Sequence, residues 1–235
     1  MNSILINLRR VHGGTIPFAY NYHLAISLYF KLMGYQADVR KLHTSSQVSM
    51  HTFSNIISKR VIVKNDGLDI ESGSIIFRTL DPRLETYLRL GLAEDPHLRI
   101  LDTLYNVTSI HNTEEIRIDS STLRFKSMSP VLVRDYEKEG HFISEGKDLE
   151  ANLTKATQWL LNNKFLLNNP KFVINIDKKL PKTVRVSSNS GEGFLTRAFN
   201  VTGFIEADAE ALRIIYYRGL GAKTALGLGC IEVIK

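Results

Sequence analysis

Arg218-Gly219-Leu220-Gly221-Ala222-Lys223-Thr224-Ala225-Leu226-Gly227-Leu228-Gly229-Cys230-Ile231-Glu232-Val233-Ile234-Lys235 is the stretch on which the fold turns. Two Gly-Leu-Gly pairs bracket Lys223, and an apolar strand, Cys230 to Ile234, follows. Glycines this dense allow positive φ and close approach of another molecule to the main chain. Successive N–H groups in such a loop form an anion-binding concavity, and Lys223 places a positive charge at its centre. A phosphate-bearing ligand is the expected occupant. The plainer alternative is a tight αβ connection whose glycines serve packing. That suits one or two glycines better than four.

Two familiar phosphate motifs fail here. A P-loop needs G-x-x-x-x-G-K-[ST] between a strand and a helix, but Ala222 precedes Lys223 and the order is helix, loop, strand. A dinucleotide fingerprint needs a glycine where Thr224 stands, and a helix after it.

Working backwards from the loop, Ala207 to Tyr217 reads as a helix with Asp208 in its first turn, where an acid suits the helix dipole. Phe194 to Glu206 reads as a strand. Lys171 to Ile176 and Thr183 to Val186 read as a hairpin whose tip is Lys178-Lys179-Leu180-Pro181-Lys182. Lys147 to Leu167 has helical periodicity, and Ile116 to Lys126, Ser129 to Tyr136 and His141 to Ser144 read as extended. The second half is therefore approximately β-α-β-β-α-β. The first half has the same order. Ser3 to Arg9 alternates as a strand, and a helix runs from about Tyr20 to Met33 and stops at Gly34. Val48 to Ile57 is extended. Arg60 to Lys64 and Leu68 to Leu80 flank a turn at Asn65-Asp66-Gly67. Asp81 and Pro82 supply the N-cap and first position of a helix ending at or just past Gly91. Leu98 to His111 is extended again. The expected fold is α+β: tandem ferredoxin-like domains, 1–115 and 116–235, with a repeat of pattern and no evident sequence identity.

A chain of 235 residues with 43% hydrophobic content can bury a sizeable core. A formal charge of +6 and a pI of about 9.3 favour an anionic partner. A single cysteine, Cys230, excludes an intramolecular disulfide and a cysteine-based zinc site, and suits a cytoplasmic protein. Neither a signal peptide nor a membrane-spanning helix is expected.

There are seven histidines, at 12, 23, 43, 51, 97, 111 and 141. H-E-x-x-H, G-x-S-x-G and dense carboxylate clusters are all absent, so a metal-dependent hydrolase or a serine hydrolase has no support, and no metal or cofactor is expected. His43 stands out because it sits in a basic polar loop, Arg40-Lys41-Leu42-His43-Thr44-Ser45-Ser46, between a helix and a strand. On local sequence alone an exposed histidine without a role is the stronger reading. His51 reads as structural on a strand face, and His23 as a surface or interface residue on the first helix.

The chain resembles the CRISPR-associated endoribonucleases of the RAMP superfamily, which release guide RNAs from repeat RNA. Gly219 to Val233 resembles the superfamily's G-h-G-x-x-x-x-x-G-h-G loop and following strand. Ile16-Pro17-Phe18-Ala19-Tyr20-Asn21-Tyr22, leading into a helix with Tyr29, resembles the processing nucleases in particular, as does the loop from His43 to Thr52-Phe53-Ser54. The resemblance implies metal-independent cleavage, in which the ribose 2′-OH attacks the adjacent phosphate and the 5′-oxygen leaves. It places His43 on the catalytic histidine and Tyr29 where some members carry a catalytic tyrosine, a helix residue packing its ring in the core being the equal alternative. Some members carry a lysine where this chain has Ser49, a departure that either Lys41 or Arg40 makes good or that leaves the third residue missing. CRISPR repeat RNA is the implied partner, held by Gly219, Gly221, Lys223, Gly227 and Gly229 and by the basic residues Lys178, Lys179, Lys182 and Arg185. Other CRISPR-associated proteins and a second copy of the chain are further candidate partners. A non-catalytic RNA-binding subunit is the competing reading. No aromatic pair fits an RNP pattern, so base stacking on a sheet is not expected.

Overall fold

The computed structural model describes residues 2–34, 48–114, 118, 121–135, 138, 141–143, 145–187 and 193–234. Among them are four α-helices and two main antiparallel sheets, a mixed α+β fold.

The first half contains β1 (Asn2–His12), α1 (Asn21–Met33), β2 (His51–Phe53), a small hairpin of β3 (Ile62–Lys64) and β4 (Gly67–Asp69), then β5 (Ser72–Thr79), α2 (Pro82–Glu94), β6 (His97–Ile100) and β7 (Thr103–Asn112). The main strands order as β2-β5-β1-β7-β6. The period-two pattern of β1 decides which way the sheet faces. Ile4, Ile6 and Leu8 are buried with Leu24, Leu28 and Leu32 of α1 and Leu88 and Leu92 of α2. Asn7 and Arg9 alternate with them and face the other side. At the start of α2 the Asp81 carboxylate accepts from the Arg83 N–H at 3.0 Å, as its N-cap position predicts. The helix runs on to Glu94 through Gly91, where a Cβ would stand 2.1 Å from the Lys31 carbonyl oxygen. That glycine lets α1 and α2 cross closely.

Three first-half strands are shorter than their patterns predict. Val48 to Ile57 contracts to His51–Phe53. Leu68 to Leu80 breaks at Ile70 and Glu71 into β4 and β5. Leu98 to His111 turns at Leu101, which adopts a φ of 53°, to give β6 and β7.

The second half contains β8 (Thr122–Ser127), α3 (Leu149–Lys164), β9 (Phe172–Ser187), β10 (Gly193–Ala207), α4 (Ala209–Arg218) and β11 (Ile231–Val233), in the order β11-β8-β10-β9. The helices cover one face through Leu153, Leu161, Leu212 and Ile215, packed with Phe125, Phe172, Ile174 and Ile205. Here a larger correction is needed. The expected hairpin around Lys178 to Lys182 does not exist. β9 is one continuous strand of 16 residues, paired along its length with β10. It ends the sheet order, and an edge strand tolerates Pro181 and several lysines because one side of its backbone needs no partner. Of the expected strand Ser129 to Tyr136, the described part makes only isolated bridges, from Val131, Leu132 and Arg134. α4 begins at Ala209, two residues later than expected, so Asp208 is its N-cap, and its carboxylate accepts from the Lys171 N–H.

The halves interlock. Leu132, Val184, Val186, Ala198, Leu226 and Leu228 of the second half are buried in the core of the first. From the side of β5 turned away from α1 and α2, the Arg78 guanidinium lies 3.8 Å above the Tyr216 ring of α4 and donates to the Ile231 carbonyl.

Candidate functional site

The Gly-rich loop lies in the joint between the two halves, against β2. Thr52 Oγ1 donates to the Leu228 carbonyl at 3.0 Å, and Asn21 Nδ2 donates to the Gly227 carbonyl at 3.0 Å and to Asn55 Oδ1 at 2.8 Å. Gly219, Gly221, Gly227 and Gly229 have φ of 94°, 84°, 70° and 71°. Space is as restrictive as conformation. A Cβ would fall 2.0 Å from the Phe53 ring at Gly227, and 1.8 Å from the Leu220 carbonyl oxygen at Gly229. The glycines are therefore required for packing as well as for the turn.

This packing closes much of the expected N–H cradle. The amides of Gly219, Leu220, Ala222, Leu226, Gly227 and Gly229 all donate to protein carbonyls. Gly219, Gly227 and Gly229 are buried, and the half-buried part of the loop is Gly221, Ala222, Lys223 and Ala225. Contact with an anion at this loop therefore falls mainly to side chains.

Those side chains are cationic. Arg218 is only 6% exposed and donates through one guanidinium nitrogen to the carbonyls of Gly219 at 3.0 Å and Gly221 at 3.3 Å. Burial, reinforced by the positive charge of Arg134, pushes its pKa down to about 10. Lys223 is lowered by the same two causes in the same order. Arg134 reaches the loop because the Ala222 amide donates to the Leu132 carbonyl at 2.8 Å. No carboxylate pairs with any of these three cations among the described residues. Sequence reasoning named Lys223 and missed the other two. Arg134 carries no local signal, since only the fold brings it to the loop.

On the other side of β2 lies Tyr29. Its ring meets His51 edge-on at 5.8 Å, and His51 stacks on Phe77 at 5.4 Å. Tyr29 is buried at 6% exposure, and this burial raises its phenol well above the ordinary tyrosine value. His51 is buried too, in keeping with the structural reading of its strand position. One short strand thus touches Tyr29 through His51 and the Gly-rich loop through Thr52. The segment carrying Lys41 and His43 immediately precedes this strand in sequence. Both residues lie outside the described residues. Ser49 donates to the His51 carbonyl at 2.9 Å.

The remaining basic residues do not form the compact tip that the hairpin would have given. On β9 they alternate. Lys178 and Lys182 share one face, and Lys179 and Arg185 point to the other. Lys179 Nζ donates to the Gly146 carbonyl. Arg185 lies near enough to α1 for its charge to reach His23. Burial, and then the charge of Arg185, holds the His23 imidazole below its ordinary value.

Known proteins match over nearly the whole chain. The family model for CRISPR-associated protein Cas6, N-terminal, matches residues 15–111, and that for Cas6, C-terminal, matches residues 111–233. A protein from Pyrococcus horikoshii, named Cas6nc and only endoribonuclease-like, is 25% identical over 231 residues, 94% of each chain. A similarly named Cas6 protein from Pyrococcus furiosus is 26% identical, over 94% of this chain and 93% of its own length. Among solved structures, a Cas6-related protein of Pyrococcus furiosus superposes with a TM-score of 0.85 at 22% identity, covering 100% of this chain and 98% of its own. A RAMP protein described as binding different RNA substrates gives 0.85 at 21% identity, with 100% of both chains covered.

Proposed function

This chain belongs to the Cas6 family of CRISPR-associated proteins, and from that premise we propose that it is a metal-independent endoribonuclease that cuts CRISPR repeat RNA in the cytoplasm. In this reading its two sheets, each with the second, third, first and fourth main strands of its half side by side, are ferredoxin-like domains spanning 1–115 and 116–235. The observation that carries the proposal is β2. It follows directly on the segment with His43, contacts Tyr29 through its first residue, and contacts the cationic Gly-rich loop through its second.

The reaction needs three things: a base for the 2′-OH, an acid for the departing 5′-oxygen, and positive charge for the phosphate. A histidine titrates near neutrality, so His43 accepts the 2′-OH proton as that oxygen attacks phosphorus. The P–O5′ bond breaks, leaving a 2′,3′-cyclic phosphate and a 5′-hydroxyl. Tyr29, held protonated by burial, donates to the leaving oxygen. Lys41 supplies charge where Ser49 replaces the family's lysine, with Lys223 and Arg134 adding to the field. Gly219, Gly221, Gly227 and Gly229 shape the loop that presents Lys223, and Lys178, Lys179, Lys182 and Arg185 contact phosphates on either face of β9.

A second reading has its own support. Tyr29 is almost wholly buried and Ser49 is uncharged, both of which suit a subunit that binds repeat RNA without cutting it. Cleavage of labelled repeat RNA in excess chelator, with the product ends identified, decides between them. The nuclease reading expects cyclic-phosphate ends from the unsubstituted protein, and no cutting but retained binding from His43→Ala. Binding without any cutting by the unsubstituted protein establishes the subunit instead.

A further inference from the structure

The side of the first sheet turned away from α1 and α2 carries a groove of about 610 Å³ that none of the candidate site residues above lines. Its floor is β1 and β5. Asn7 stands opposite Ser74 and Arg9 opposite Ser72. Its wall is the segment from Ile57 to Ile62, pinned to the edge of β5 by the Ile57 N–H donating to the Ser74 carbonyl and the Ser74 N–H to the Ile57 carbonyl, both at 2.8 Å. Across the floor runs a fixed polar row. Ser74 Oγ donates to Asn7 Oδ1 at 2.6 Å, and Asn7 Nδ2 donates to Ser109 Oγ at 2.8 Å.

The groove is basic in a specific way. Arg9, Arg10, Lys59 and Arg60 line it, against Asp69 and Glu71. Asp69 is already held by Arg10 at 2.6 Å and by Lys64 at 2.7 Å. That leaves Arg9, Lys59 and Arg60, all exposed and without an ion-pair partner among the described residues, facing the single acid Glu71. The lining contains no aromatic ring, so stacking of bases is not its mode of binding. Hydroxyls, a carboxamide and unpaired guanidinium and ammonium groups are instead partners for sugar hydroxyls and phosphates.

We infer that this groove is a second RNA-contact site, in which Arg9, Lys59 and Arg60 grip the sugar–phosphate backbone of a single strand without reading its sequence. The inference rests on the RNA-binding reading above. It assigns the groove to affinity, because Tyr29 lies on the opposite, helix-covered face of the same sheet. RNA bound only at the Gly-rich loop would leave Arg9, Lys59 and Arg60 out of the binding equilibrium.

Salt dependence of binding tests it. Each phosphate neutralised on a single strand contributes about 0.7 to the slope of log Kobs against log salt, so losing three should flatten the slope by about 2. The experiment compares the full chain with Arg9→Ala/Lys59→Ala/Arg60→Ala, using an unstructured single-stranded RNA of mixed sequence titrated across salt concentrations. The expected result is that flattening, with affinity at low salt down by roughly a hundredfold, an unchanged melting temperature, and unchanged single-turnover cleavage at saturating protein. Glu71→Gln should tighten binding. An unchanged slope in the triple variant overturns the groove while leaving the proposed function standing. Failure of the unsubstituted chain to bind RNA at all overturns both.

Discussion

The two halves arrange their main strands in the same order, yet they use that order differently. In the first half the loops and α1 carry the candidate chemistry, namely Tyr29, the segment with His43, and the strand β2 that follows it. In the second half the connection before the last strand is filled with glycine and folded down onto the first. One half holds the proposed reacting groups, and the Gly-rich loop of the other packs against its strand β2. The contrast shows that function resides in what is grafted onto a repeated topology rather than in the topology itself. It also separates two kinds of residue within the Gly-rich loop: those that make the joint and the few that remain available to a ligand.

Substitutions test that separation. The largest effect is expected at the joint. In Gly227→Ala the new methyl meets the Phe53 ring at a φ of 70°. Clash and strain together should cost about 3 kcal/mol, read as a fall in melting temperature of roughly 6–12 °C. A melt unchanged from that of the unsubstituted protein would mean that the loop is not packed against β2. Next is Tyr29→Phe, which keeps the ring against His51 and removes only the hydroxyl. If the phenol donates to the leaving oxygen, single-turnover cleavage should fall by about a hundredfold with RNA affinity and melting temperature nearly unchanged. Equal cleavage would make Tyr29 a packing residue like its neighbours.

Lys223→Ala should weaken RNA binding by about tenfold, the effect of one charge-assisted contact, while slowing cleavage of bound RNA less. The reverse pattern would move the loop tip into the catalytic centre. The smallest effect lies far from the joint. Asp95, paired with the nearly buried Lys31, has its carboxyl held down to about 2, chiefly by that hydrogen bond. Its folded value lies below the ordinary one, so its contribution is present above pH 3.8 and lost as pH falls through about 2. With Asp95 itself 59% exposed, Asp95→Asn should cost less than about 1 kcal/mol at neutral pH. The melting gap from the unsubstituted protein should close in acid, and a gap that persists there would rule out the ion pair as its cause.

What could be read in advance followed from range. The end of α1 at Gly34, the cap of α2 at Asp81 and the positive φ demanded of the loop glycines each depend on neighbours within a turn or two, and sequence displays such neighbours directly. The Lys178 to Lys182 run misled for the complementary reason. Lysines and a proline look like a turn to a local reading, and only the position of β9 at a sheet edge makes them acceptable within a strand. His51 behind Tyr29 was half legible. Its strand face could be read, but its contact with the helix could not.

By itself the sequence determined the α+β pattern, the family, and the fact that residues 219–229 must be glycine-rich. These are consequences of backbone φ, capping and hydrophobic period, all encoded locally. Only the tertiary structure decided that most of the loop's amides face protein carbonyls, that Arg134 joins Lys223 over a buried Arg218, and that one three-residue strand links the loop to Tyr29. Contacts between residues so far apart in the chain are set by how two sheets and their helices pack against one another, and no local property of the sequence specifies that packing.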